Sequence, residues 1–240
     1  GYLSKSKTYP LLLNSEIPIE ESGDEPAIMF KNSQCPVVIG PNRIQAAKHL
    51  MENTDSNVIL SDDGLQHFSL GRDIEILMID GNRKFGNELL LPAGPLREPK
   101  SRIKTVDFTI SSNRKWPSVA KYEMKYRPFK WVHMKSQKEY DIFDWPLKKE
   151  VNAVAGIGNP SNFFNLLKQL GFDISEYAFP DHHDFHSVDF EIMDNQPTVM
   201  TEKDAIKCSF LDHTNYWYLK IEAEVSDNFE QDFLAEIKSK

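Results

Sequence analysis

The chain opens with short apolar runs set between polar stretches of helical spacing. "YPLLLN" predicts a strand, and "DEPAIMFKN" a helix whose first turn carries acidic residues and Pro26. "CPVVIG" predicts a strand bounded by Pro36 and Gly40. "PNRIQAAKHLMEN" predicts a helix starting at Pro41, and "NVILSD" a strand that ends in Asp62 and Asp63. "IEILMID" is nearly all apolar and predicts a strand buried on both faces, with "DFTISS" as the next. Strand and helix alternating in this way predict a parallel α/β sheet. Ligands of such sheets bind beyond the carboxyl ends of the strands, which is where Asp62, Asp63, Gly64 and Asp80 fall.

The pattern changes near Trp116. "KYEMKYRPFKWVHMKSQKEYDIFDWP" alternates polar and apolar residues, is rich in aromatics and lysines, and predicts an antiparallel ribbon up to about Lys149. A second α/β pattern follows. "VNAVAGIGNP" predicts a strand and glycine turn, and "SNFFNLLKQLGF" a helix capped by Ser161. "ISEYAFPD", "PTVMTEKDA" and "YWYLKIEAEV" predict three more strands. The expected organisation is a core lobe over 1–115, a ribbon linker over 116–150 and a C-terminal lobe over 151–240.

Composition narrows the class. The chain has 240 residues, 40% of them hydrophobic, which is enough for a sizeable core. Its net charge of −8 argues against a dedicated nucleic-acid binder. No apolar run reaches the ~20 residues of a membrane-spanning helix. Cys35 and Cys208 lack metal-ligand spacing, so both read as buried structural thiols from a reducing compartment.

Six stretches carry candidate chemistry. Asp62-Asp63-Gly64 reads either as a surface turn or as a magnesium site, since Mg²⁺ takes oxygen ligands and Gly64 lets backbone approach a phosphate. Asp24 and Glu25 in "GDEP" read as a helix cap or as a general base with a metal-assisting neighbour. "LLLPAGPLREPKSRIK" is a rigid loop made locally basic by Arg97, Lys100, Arg102 and Lys104, suited to an anionic ligand or to solvent. "FPDHHDFH" places three histidines within five residues, for metal ligation, acid–base work or the surface. "GIGNPSNF" offers backbone N–H groups to an anion, and "MTEKDAIK" reads equally as a site or as a capping turn. No stretch fits GxxxxGK[ST].

Taken in order, "GDEP", "PNR", "DDGLQH" with "RD", "FGN", "LLPAGPLREP" with "SR", "DHH" and "TEKDA" resemble the tetraacyldisaccharide 4′-kinase family of Gram-negative bacteria. The resemblance implies two α/β lobes, the first of P-loop NTPase type, joined by a β-ribbon hinge. It implies transfer of the γ-phosphoryl group of ATP, with Mg²⁺, to the 4′-hydroxyl of a tetraacylated glucosamine disaccharide 1-phosphate. That work is done peripherally at the cytoplasmic face of the inner membrane, with no nucleic acid and no partner protein. By the same resemblance Asp24 matches the catalytic aspartate and His182 its dyad partner, with His183 the alternative. Asp62, Asp63 and Glu25 match the metal side. Asp63, Gln66, His67, Arg72, Arg97 and Glu98 match substrate-binding positions. Asp24 and His182 fall in different expected lobes, so hinge closure is expected to assemble the dyad. The family's P-loop lies upstream of the residue numbered 1, so no nucleotide-binding residue is assigned, and this stretch alone is expected to be inactive. Two other readings use the same clusters: a metal-dependent phosphoesterase built on "DDG" and "DHH", and a non-catalytic lobe that binds acylated sugar.

Overall fold

The structure is a computed structural model and describes residues 6–193, 195–211, 215–226 and 228–240. In chain order the elements are β1 (Leu11–Leu12), α1 (Ile19–Ser22), α2 (Asp24–Ser33), β2 (Val38–Ile39), α3 (Arg43–Asn53) and β3 (Ile76–Asp80). After a 3₁₀ turn (Lys100–Thr105) come β4 (Phe108–Ser112), β5 (Tyr122–His133), β6 (Glu139–Asp141), β7 (Glu150–Ala155), α4 (Pro160–Gln169) and β8 (Asp173–Ala178). Next are α5 (Val188–Glu191), β9 (Thr198–Thr201), α6 (Glu202–Ala205), β10 (Tyr216–Val225) and α7 (Asn228–Ser239). The chain is mixed α/β and mostly parallel in its strand pairing, as the alternating pattern predicts. No helix among the described residues is long and apolar enough to cross a membrane.

The chain divides into two compact units, residues 1–60 with 128–221 and residues 61–127 with 222–240. β5 and β10 each run from one unit into the other.

In the first unit, β7 is the centre of a parallel sheet, bonded to β8 on one side and β9 on the other, with β10 beyond β9. Residues Val151 to Ala155 are all buried, and this is why a nearly unbroken small-apolar run forms a central strand. Helix α4 covers the sheet with Phe163, Phe164 and Leu167, an i, i+1, i+4 stripe on one face. Trp131 and Trp217 fill the same core. Helix α4 begins two residues earlier than expected: the cap position is Asn159, not Ser161, and Pro160 is the first helical residue. Proline has no N–H to satisfy and a fixed φ suited to the first turn. The second unit stacks β3, β4 and the start of β5 in parallel. Phe108 and Tyr122 meet Phe229 and Phe233 of α7 edge to face. Helix α7 is not among the elements the pattern predicts, although Phe229, Phe233 and Ile237 recur at helical spacing.

Three expected strands are corrected. "YPLLLN" and "CPVVIG" form only the two-residue β1 and β2, paired antiparallel with each other in a small separate sheet. Val58, Ile59 and Leu60 form no strand; they are exposed, Leu60 to 82%. An apolar run becomes a strand only where a neighbour takes its backbone hydrogen bonds, and the described residues supply none there. Of the two cysteines expected to be buried, Cys208 is buried and Cys35 is exposed. Cys35 lies just past the end of α2, where Gln34 turns left-handed, rather than on a packed face.

Candidate functional site

The candidate residues gather in two clusters, one in each unit. In the first unit, Asp24 is the first residue of α2 and is nine-tenths buried. Gly23 precedes it with φ 88°, a conformation that only glycine adopts without strain, and this sharp turn from α1 points the Asp24 carboxylate inward. Its Oδ1 accepts the Glu25 N–H at 3.0 Å, and the helix N-terminus favours negative charge at this place. His182 Nδ1 lies 3.2 Å from Asp24 Oδ2.

The two adjacent histidines diverge because His182 itself has φ 60°, the left-handed region. His183 turns away, bonds Asp189 at 3.1 Å and stacks on Phe179 with ring centres 4.7 Å apart. His186 is exposed. Asp24 and His182 belong to the same unit, which corrects the expectation that closure between lobes assembles them. They are already in contact.

The same cluster contains a residue that the sequence reading left undecided. Lys203, in the first turn of α6, sets its Nζ 3.4 Å from His182 Nε2 and 3.4 Å from Glu25 Oε1. Asp181 Oδ1 is 3.5 Å away and Asp24 Oδ2 3.8 Å. "MTEKDAIK" is thus a capping turn and a site contact at once. Thr201 accepts the Asp204 N–H at 3.1 Å, and the next turn presents Lys203. Asp204 is fully buried and accepts the Gly156 N–H at 3.0 Å and the Thr201 hydroxyl at 2.6 Å. Lys207 Nζ approaches its other oxygen to 3.2 Å, as a charge rather than as an aligned donor. The Gly156 N–H expected to face an anion is therefore taken by a carboxylate of the chain itself.

In the second unit one polar network joins residues of "DDGLQH", "RD", "LREP" and "SR". Arg97 contacts Asp63 Oδ1 and Oδ2 at 2.7 and 2.8 Å and Gln66 Oε1 at 3.2 Å. Gln66 donates to Glu98 at 2.6 Å, and Glu98 accepts from Arg102 at 3.1 Å. Arg102 also pairs with Glu75, which takes Arg72 at 2.9 Å. Arg72 in turn donates to the carbonyls of Gly64 and Leu65 at 2.9 and 3.0 Å. The hydrogen bonds to Asp63 hold the Arg97 guanidinium above its ordinary range. Lys100 faces Glu88 at 2.8 Å, so three of the four loop cations meet carboxylates of the chain itself. Gly64 has a local reason as well: a Cβ there would lie 2.8 Å from the Ser61 hydroxyl. The His67 N–H bonds back to Gly64 O at 3.0 Å, closing the turn.

Of the expected metal-side residues, Asp63 is engaged by Arg97 and Glu25 by Lys203. Asp62 is exposed with no cation against it among the described residues. Among those residues no group of three or more His, Cys, Asp or Glu side chains is placed to hold a metal ion. A single carboxylate with waters and substrate phosphates is nevertheless how Mg²⁺ is commonly held, and Asp62 fits that donor set.

A family model described as "Tetraacyldisaccharide-1-P 4′-kinase" matches residues 1–238. The chain belongs to this family. Among curated members of the 4′-kinase family, it is 43% identical over 235 residues to the tetraacyldisaccharide 4′-kinase of Legionella pneumophila strain Corby, covering 97% of this chain and 71% of that protein. It is 42% identical over 227 residues to the enzyme of Haemophilus influenzae strain 86-028NP, covering 94% of this chain and 67% of that one. Among solved structures, the "apo" form of LpxK from Aquifex aeolicus in complex with ATP matches with a TM-score of 0.80 at 28% identity, over 98% of this chain and 75% of that one. The two clusters of this 4′-kinase family member are thus the "GDEP"–"DHH" pair, with Lys203 added, and the "DDGLQH"–"LREP" network.

Proposed function

We propose that the protein transfers the γ-phosphoryl group of ATP to the 4′-hydroxyl of a tetraacylated glucosamine disaccharide 1-phosphate, a lipid A precursor. Membership of the 4′-kinase family supports the activity, and the solved relative in complex with ATP supports the donor. The contact between Asp24 and His182 carries the reading of the chemistry. The hydroxyl proton passes to the Asp24 carboxylate as the hydroxyl oxygen bonds the γ-phosphorus. The bond to the β,γ-bridging oxygen breaks and ADP leaves. His182 holds the carboxylate in place by its Nδ1–H and balances the proton that arrives. Phosphoryl transfer asks mainly for positioning and charge neutralisation, which a buried, doubly bonded carboxylate and an ordered cation network suit.

Asp62 would hold Mg²⁺, which would supply charge neutralisation at the phosphates of ATP. Asp63 is fixed by Arg97 and, with Gln66 and His67, orients the sugar. Arg72 and Glu98 hold that loop in shape, through the Gly64 and Leu65 carbonyls and through Gln66. The acylated substrate places the work at the cytoplasmic face of the inner membrane, approached peripherally.

The test is ATP-dependent phosphorylation of the disaccharide 1-phosphate by the full-length protein, with Asp24→Ala alongside. Wild-type turnover with a loss of roughly 10²-fold or more in the variant is expected. An active Asp24→Ala removes the base, and an inactive wild type removes the kinase reading.

A further inference from the structure

We propose that Lys203 is a positioning residue that fixes the tautomer of His182, keeping the ring proton on Nδ1 where it points at Asp24. This rests on the reading of Asp24 as the base, and deepens it. The argument starts from donor counting. An ammonium has three N–H donors and no acceptor, whereas a neutral imidazole has one donor and one acceptor nitrogen. Lys203 Nζ lies 3.4 Å from His182 Nε2, a contact that is favourable only if Nε2 presents its lone pair. The ring hydrogen then sits on Nδ1, 3.2 Å from Asp24 Oδ2, where it meets a carboxylate. The other tautomer fails both contacts. It sets N–H against N–H at the lysine and a lone pair against an anion at Asp24.

The ammonium is held in place to do this. Glu25 on α2 and Asp181 in the "DHH" turn flank it at 3.4 and 3.5 Å, with Asp24 Oδ2 at 3.8 Å. The Lys203 side chain is only 21% exposed, so it is less free to swing into solvent than an ordinary surface lysine. One neighbour pulls the other way: Asp181 Oδ2 lies 3.9 Å from Nε2 and would accept a proton carried there. Lys203 opposes that pull twice, by its own charge at Nε2 and by engaging Asp181 Oδ1. A lysine that only cross-braced α2, the "DHH" turn and α6 would leave the tautomer indifferent, and that is the difference to be measured.

The experiment uses the full-length protein with ¹⁵N-labelled histidine, the His182 signals being assigned by their loss in His182→Gln. Wild type is expected to show a protonated Nδ1 and an unprotonated Nε2. In Lys203→Met, and in Lys203→Gln as a second variant, the proton is expected to shift toward Nε2. The kcat is expected to fall about tenfold, part of what a positioned acid–base pair contributes, with KM for ATP within about twofold. Lys203→Arg keeps a cation at Nε2 and is expected to retain the wild-type pattern and most of kcat. In a His182→Ala background, Lys203→Met is expected to cost less than about twofold more, since the two residues act as one unit. An unchanged His182 pattern in both neutral variants overturns the proposal, as does a further tenfold loss in the His182→Ala background. Because the tautomer is read without turnover, failure of the kinase reading is separately visible as an inactive wild type.

Discussion

Arg97 holds Asp63 through one terminal guanidinium nitrogen, 2.7 Å from Oδ1 and 2.8 Å from Oδ2. Both side chains are more than half exposed, at 57% and 66%. In that setting an ion pair contributes little to stability, on the order of 0.2–1 kcal/mol. Its consequence is to fix where the Asp63 carboxylate points. Arg97→Ala is therefore expected to leave the urea midpoint nearly unchanged while lowering kcat/KM for the disaccharide by roughly tenfold or more. Chemical denaturation and steady-state kinetics on one preparation check this. A large stability loss would make the pair structural instead.

The adjacent histidines separate by the kind of damage their loss does. His182→Ala removes the partner of Asp24, and a rate loss of roughly 10²-fold or more is expected with less than about 1 kcal/mol of stability. His183→Ala removes a ring stacked on Phe179 and bonded to Asp189, and is expected to cost about 2 kcal/mol while sparing much of kcat. Urea unfolding of both variants beside the kinase assay decides it. The reverse pattern would make His183 the functional histidine.

Acid should loosen the same turn. The His186 backbone N–H, and then the His183 ring, hold the Asp189 carboxyl below its usual value against the opposing effect of burial. A carboxyl depressed in the folded state stabilises fully above its unfolded pKa of about 3.9, and that contribution is lost as pH falls through the folded value. Stability is thus expected to drop below about pH 4, and Asp189→Asn to be less stable at neutral pH but less acid-sensitive. Urea midpoints measured from pH 6 to pH 3 would show it, and parallel curves for the two proteins would remove Asp189 from the account.

The two thiols should react very differently. Burial first, and the Asp204 carboxylate second, push the Cys208 thiol up to about 12, while Cys35 is exposed. Reactivity follows the thiolate and its access. A thiol reagent at pH 8 is expected to modify Cys35 in the native protein and Cys208 only after denaturation. Rapid native labelling of Cys208 would show that its surroundings open.

The sequence by itself determined the α/β class, because parallel strands such as "VNAVA" and "IEILMID" read as nearly unbroken apolar runs. The expected burial on both faces holds for the first, whereas in β3 Met78 is exposed and only Ile79 is buried. It also determined the family, because "DDGLQH" and "LPAGPLREP" are local strings whose order needs no fold to be read. It did not determine that Val58 to Leu60 would lie exposed rather than in a strand, since strand pairing needs a neighbour that a local pattern cannot name. Only the tertiary structure decided that His182, not His183, faces Asp24, through one left-handed backbone angle at His182. Only it brought Lys203 to the imidazole, across 21 residues to His182 and 178 to Glu25. Contacts of that kind depend on how separate elements meet, and no periodicity along the chain records them. Only the tertiary structure, too, set Arg97 and Arg102 of the basic loop against Asp63 and Glu75, carboxylates far from them in sequence.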